Sequence, residues 1–363
     1  MEAVRLMKPY LGFDEIEADF RAVFDSGIFT RGHNVEALCR ELADYTGARH
    51  VFLATSATTA LWVCLKLLGI GPGDEVAVAD FSFPATANVV EDVGATPIFV
   101  DVSLDSYNML ADDLERKITD RTKAVIFVDA LGNPTGLHDI KRICAARGIP
   151  LIEDAACAIG SAEAGQRCGG IADLTCFSFH PRKLMSTGEG GAITTDRDDW
   201  ADWLRIKLAH GADGPRGLGL DFVDFGYNFR LPELQAVMAR KQLVRLDAIV
   251  DGRIAVRNAF IARLEPMGFV PQHVGADVRY NVQSLVFRVP STVDRDRLVR
   301  ALKERGIETT LGTYCLSGTT FFAARYNCVQ PNAAMLEATT ITLPCYDGVP
   351  VDYVADNIRS CVN

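Results

Sequence analysis

From about residue 50 to residue 180 the chain alternates short apolar runs with stretches whose apolar residues recur at helical spacing. That alternation restricts the fold more than any other feature. His50-Val-Phe-Leu-Ala-Thr55 reads as a strand, and residues 58–68 follow with Leu61, Cys64, Leu65 and Leu68 on one helical face. Gly71-Pro-Gly-Asp74 ends that helix, and Glu75-Val-Ala-Val-Ala79 starts the next strand. Further strands are expected over 96–102, 124–129, 150–153 and 174–179, with helices near 85–93, 111–118 and 139–147. The pattern predicts an α/β fold whose mostly parallel sheet is covered by helices on both faces. Ligands of such sheets gather at the carboxyl ends of the strands. After a helical stretch over 232–250 the pattern changes, with strands over 284–289 and 340–344 and a helix over 294–305. The expected division is a large domain over 1–250, including an N-terminal segment, and a smaller C-terminal α+β domain over 251–363.

Composition excludes several classes. In 363 residues, 48% are hydrophobic and 23% charged, which describes a globular chain rather than a disordered one. The net charge of −10 argues against nucleic acid as a general partner. No run of eighteen apolar residues suggests a membrane span, and the start Met1-Glu-Ala-Val-Arg lacks a signal-peptide stretch, so a cytoplasmic protein is expected. The ten cysteines show no C-x-x-C pair and suggest reduced thiols rather than a zinc site or disulfides. Gly69, Gly71 and Gly73 follow a helix and precede a strand, the reverse of a dinucleotide loop, and no G-K-[ST] occurs. His180 and His210 lack an H-x-x-x-H partner, so no metal site is expected.

The chemistry concentrates between residues 150 and 191. Glu153-Asp154 ends one strand, and Lys183 lies between the apolar strand ending near Ser178 and the turn Thr187-Gly-Glu-Gly-Gly191. An amine and a carboxylate presented this way suit the two ends of pyridoxal 5'-phosphate. Lys183 would form a Schiff base with its aldehyde, and later shuttle protons between the reacting carbons. Asp154 would keep the pyridine nitrogen protonated. Alone, each has an ordinary reading: a solvated lysine, and an aspartate capping a turn. For the phosphate, Thr55-Ser-Ala-Thr-Thr-Ala60 lies between strand and helix, where free N–H groups and the helix dipole favour an anion. Ser56 or Thr58 capping that helix is the simpler reading, compatible with phosphate binding. Ser178 is a second phosphate candidate. Either Phe81 or Phe83 could stack on the ring or belong to the core, and Phe83 is chosen because the other features converge beside it.

Together these segments resemble the DegT/DnrJ/StrS-type sugar aminotransferases, which have the aspartate-aminotransferase-like fold type I. The resemblance rests on Thr30 and Gly32, Leu68-Gly-Ile-Gly-Pro-Gly-Asp-Glu-Val76, Phe83-Pro-Ala-Thr-Ala-Asn88 and Gly94-Ala-Thr-Pro-Ile-Phe-Val-Asp101. It continues through the Asp154 and Lys183 motifs to Gly226-Tyr-Asn-Phe-Arg230 and Gln235-Ala236. It implies roles for Lys183 as the cofactor-bearing lysine, Asp154 as the pyridine partner and Phe83 as the stacking ring. Ala57, Thr58 and Ser178 would hold phosphate, with Asn228 reaching the neighbouring subunit's phosphate in a homodimer with shared active sites. Ala57 stands where glycine is common, and Cys157 where histidine or glutamine would meet the cofactor's phenolic oxygen. Residues 310–318 lack the usual His-Tyr-x-Pro flavour. The implied reaction carries an amino group from L-glutamate to a nucleotide-linked keto sugar, with a 4-keto-6-deoxy sugar leading, in polysaccharide, O-antigen or antibiotic assembly. The alternatives are a cyclitol (inosose-type) ketone aminotransferase and a non-catalytic regulatory or binding protein on the same fold. A keto-sugar dehydratase would carry histidine in place of Lys183.

Overall fold

A computed structural model describes residues 3–362, so Met1, Glu2 and Asn363, at the ends of the two expected domains, lie outside the described residues. Its centre is a seven-stranded sheet. The order across it is His50–Ala54, Gly191–Thr195, Leu174–Ser178, Leu151–Asp154, Thr122–Val128, Glu75–Ala79 and Thr96–Val100. Four neighbouring pairs are parallel, and only Gly191–Thr195 runs against both of its neighbours.

Successive side chains of these strands enter different cores, because a strand alternates its faces. Val76, Val78, Ile126 and Ile152 pack on one face with Leu61 and Leu65 of the Ala57–Leu67 helix. Ala77, Ala79, Val125 and Phe127 pack on the other with Ile140 and Cys144 of the Leu137–Arg147 helix. Burial on both faces explains why the strands read as continuous apolar runs. Each fully buried Val, Leu, Ile or Phe contributes about 1.5–3 kcal/mol.

Several elements were not foreseen, among them the helices Glu17–Ser26, His33–Thr46 and Asp198–Lys207, and two departures bear on the scaffold of the site. The stretch over 232–250 is two helices, Glu233–Leu243 and Leu246–Leu264, broken where Arg245 leaves helical geometry at φ −114° and ψ 11°. The Gly191–Thr195 strand was not foreseen. With one bulky apolar residue, Ile193, it carries a weak strand signal, and burial between two neighbours decides its conformation.

Beyond the central sheet, Val270–Pro271, Leu285–Arg288, Thr340–Leu343 and Thr310–Leu311 form an antiparallel four-stranded sheet. The Tyr314–Cys315 strand leaves that region and pairs with Phe81–Ser82, just past the end of Glu75–Ala79. Among the described residues no helix is long and apolar enough to cross a membrane.

Candidate active site

The parallel strands place Val128, Asp154 and Cys176 in one register row at their carboxyl ends. A cavity opens beside that row. Phe83, Asp154, Cys157 and Lys183 all line it, so four of the expected residues converge, together with Ala156 and Thr313.

Asp154 is 6% exposed. Its Oδ2 accepts from Thr86 Oγ1 at 2.8 Å and its Oδ1 from the Ala156 N–H at 3.2 Å. Ser82 Oγ lies 2.9 Å from Thr86 Oγ1, which extends the network. Burial pushes the Asp154 carboxyl upward, and the Thr86 hydroxyl, the Ala156 N–H and the charge of Lys183 oppose that rise. Among the described residues no cation lies within 4.0 Å of this carboxylate.

The Lys183 amine is equally without an ion pair there, and its Nζ lies 3.1 Å from Cys157 Sγ. Two glutamines fix its turn. Gln283 accepts from the Leu184 N–H at 2.7 Å and donates to the Arg182 carbonyl at 2.7 Å, bracketing the lysine. Gln242 makes the same paired contact with Ser186. Gly190, at φ 149°, closes the turn, and a Cβ there would meet Leu231 and Thr187 under 3.0 Å.

Phe83 is 65% exposed at the mouth of the cavity, whereas Phe81 is buried edge-on against Tyr107. An exposed ring lining a cavity suits stacking, and a buried one suits the core. Both rings line the cavity, and Phe83 is the exposed one.

The phosphate candidates form a neighbouring corner. Ser56 caps the Ala57–Leu67 helix, its Oγ accepting from the Thr59 N–H at 3.1 Å. As first-turn groups, the Ala57 and Thr58 N–H have no acceptor within the helix. Ala54, Gly191 and Ser178 share a register row, and a Cβ on Gly191 would stand 2.8 Å from the Ala57 nitrogen. Only glycine lets that strand approach the helix end, which draws Ser178 toward it. Ser178 Oγ accepts from the His180 N–H at 3.3 Å. Asn228 is not brought to this group. It is exposed, bridges to Ala209 and accepts from Arg230 Nε at 2.9 Å.

A cluster that the sequence reading missed borders the site, and its Asp129 lines the same cavity. Asp129 is fully buried beside Glu153 and Cys168, with their potential ligand atoms within 4.8 Å of one another. Glu153 Oε2 accepts from Thr175 Oγ1 at 2.7 Å and the Gly169 N–H at 3.2 Å. Both Asp129 oxygens and Glu153 Oε1 have no further partner. Burial, then the neighbouring Glu153, pushes the Asp129 carboxyl far up, and burial raises Glu153 as well. Two carboxyls this close in a dry interior are best satisfied by sharing a proton.

The donor set fits pyridoxal phosphate. A buried carboxylate without a cation calls for the pyridinium, an amine without a carboxylate is free to condense with the aldehyde, and a free helix end suits the phosphate.

Comparison with known proteins agrees. The model of the DegT/DnrJ/EryC1/StrS aminotransferase family matches residues 12–360. The chain is 31% identical to the spore coat polysaccharide biosynthesis protein SpsC of Bacillus subtilis (strain 168), over 97% of this chain and 94% of that protein. It is 32% identical to GDP-perosamine synthase of Caulobacter vibrioides, over 84% and 83% of the two chains. It superposes on the PLP form of the putative sugar aminotransferase Spr1654 from Streptococcus pneumoniae with a TM-score of 0.90 at 27% identity, covering 99% of this chain and 98% of that one. A chain matched this completely belongs to the DegT/DnrJ/EryC1/StrS aminotransferase family, whose enzymes use pyridoxal phosphate.

Proposed function

We propose that the protein moves an amino group from L-glutamate to a keto group on a nucleotide-linked sugar, with a 4-keto-6-deoxy sugar as the leading acceptor. The observation that carries the transamination chemistry is the placement of Lys183 and Asp154, neither ion-paired, on one cavity at the strand ends. Bound there, pyridoxal phosphate would supply the electron sink that makes the donor's α-carbon acidic. Lys183 would hold the cofactor and then carry the proton between the two carbons. Asp154 would keep the pyridine nitrogen charged, and Phe83 would fix the ring plane. Ala57, Thr58 and Ser178 would take the phosphate. Cys157, a weak donor, would sit near the phenolic oxygen.

A nucleotide-linked acceptor is supported by two independent observations. One relative's name is that of a GDP-sugar synthase. In addition, a groove of about 530 Å³ is lined by Arg182 and Gly312, the chain neighbours of the cavity residues Lys183 and Thr313. Arg5 and Arg182 line it, both exposed and without an ion pair among the described residues, as a diphosphate would require. We also take 1–250 as the cofactor-binding domain and 251–363 as the smaller one, since the seven-stranded sheet lies wholly before residue 196.

The test is direct. Purified protein should show the near-visible band of a lysine-bound cofactor, lose it on adding L-glutamate, and regain it with the correct member of a panel of nucleotide-linked ketoses. Lys183→Ala should lack the band. A mutant that keeps it removes the central assignment.

A further inference from the structure

We propose that Asp80 is a positioning residue for this reaction, clamping the Thr313–Ser317 segment onto the Phe83 turn so that Thr313 and Tyr314 meet the amino acceptor. The proposal rests on the transamination reading of the Lys183 cavity.

Asp80 links the Glu75–Ala79 and Phe81–Ser82 strands and is 0% exposed. No cation pairs with it among the described residues. Its donors come instead from a segment 235–237 positions away in sequence. The Ser317 N–H donates to Oδ1 at 2.7 Å, while Ser317 Oγ at 2.6 Å and Cys315 Sγ at 3.2 Å donate to Oδ2. The Leu316 N–H donates to the Asp80 carbonyl at 2.8 Å. The strand pairs Tyr314 with Ser82 and Cys315 with Phe81 continue the same seam.

Both ends of this seam reach the cavity. On one side Thr313 lines it with Lys183, and the Tyr314 ring lies 6.4 Å from that of Phe83. On the other, Ser82 meets Thr86, which donates to Asp154. A dry carboxylate without a cation is a costly way to tie a loop. Its use follows from acceptor geometry. Two oxygens satisfy three donors at once, fixing the segment in direction as well as distance, whereas a neutral amide would turn an N–H₂ toward one side.

The clamp bears on the acceptor more than on the donor. Thr313 and Lys183, which line the cavity, are chain neighbours of Gly312 and Arg182, which line the Arg5–Arg182 groove. A small amino acid needs only the cavity, but a sugar carried on a diphosphate must span both.

The experiment compares holoenzymes of the wild type, Asp80→Ala, Asp80→Asn and the milder Ser317→Ala. We expect unchanged cofactor spectra and single-turnover rates with L-glutamate within about twofold of wild type. KM for a nucleoside-diphosphate-linked 4-keto-6-deoxyhexose should rise by about tenfold in Asp80→Ala and less in the other two. Equal losses in both half-reactions, or no change in KM, overturn the proposal while leaving the transamination reading intact. A wild type inert toward both reactants overturns that reading, and the proposal with it.

Discussion

Asp154 and Thr86 act as a pair although 68 positions separate them, and the pair shows where single-residue reasoning stops. Asp154 was legible because a strand-end carboxylate and a lysine about thirty residues later form one local pattern. Thr86 was not, because nothing in Phe83-Pro-Ala-Thr86 distinguishes a hydroxyl that will meet a distant carboxylate. Thr86→Val removes the donor and leaves Asp154 Oδ2 unsatisfied, costing about 1–3 kcal/mol. Asp154 then rises further and holds the pyridine nitrogen less firmly. Turnover should fall about tenfold or more with weaker cofactor retention, measured by kcat and by dialysis against cofactor-free buffer. Asp129 and Glu153 allow a prediction about pH. Their folded-state values lie above the unfolded ones, so the folded protein holds more protons. Their contribution to stability is therefore fully present below the ordinary carboxyl range and is lost as pH rises through the raised values. Asp80, pushed up to about 6 by burial, and Asp154 contribute in the same direction. The melting temperature of the wild type relative to Asp129→Asn should therefore fall from acid to neutral pH. Parallel curves for the two proteins would remove the shared proton.

At the scale of elements, the strands with continuous apolar runs were legible because burial on both faces leaves a plain signature. What stayed hidden is held by long-range contact. The turn carrying Lys183 takes its shape from Gln242, on the Glu233–Leu243 helix, and Gln283, ahead of the Leu285–Arg288 strand. Gln283 is 99 positions from the backbone N–H it fixes, and no periodicity marks it. The helix break at Arg245 is silent for a related reason, since neither proline nor glycine marks it. Gln283→Ala should leave the Leu184 N–H and the Arg182 carbonyl without partners. The expected loss is about 1–3 kcal/mol in urea unfolding. Activity should fall by more than stability explains, because the reactive amine moves with its turn. If kcat/KM stays within twofold of wild type, the turn is held by other means.

At the scale of the whole molecule, Asn228 is the test of how the site is completed. It is exposed and bonded to Arg230 rather than aimed at its own chain's cavity. Exposed apolar side chains lie close to it in sequence and in the N-terminal helix–turn region. Phe222 and Phe225 are 62% and 67% exposed, and Phe24, Ile28 and Phe29 are exposed as well. Scattered single residues would need no explanation, but a hairpin edge and a turn rich in aromatics suit a covered face. The resemblance, and no pattern in the chain, implies that a second copy seats there and that its Asn228 reaches the phosphate corner at Ala57 and Ser178. Sedimentation should therefore give twice the monomer mass, and Phe222→Asp should shift the distribution toward monomer with loss of bound cofactor. Complementation decides whether sites are shared. Lys183→Ala and Asn228→Ala should each be impaired alone. Refolded together in equal amounts, half of the dimers would be mixed, each with one intact site, so activity should return to about a quarter of wild type. If mixing restores nothing while each variant remains dimeric, Asn228 serves only its own chain and each site is complete within one subunit.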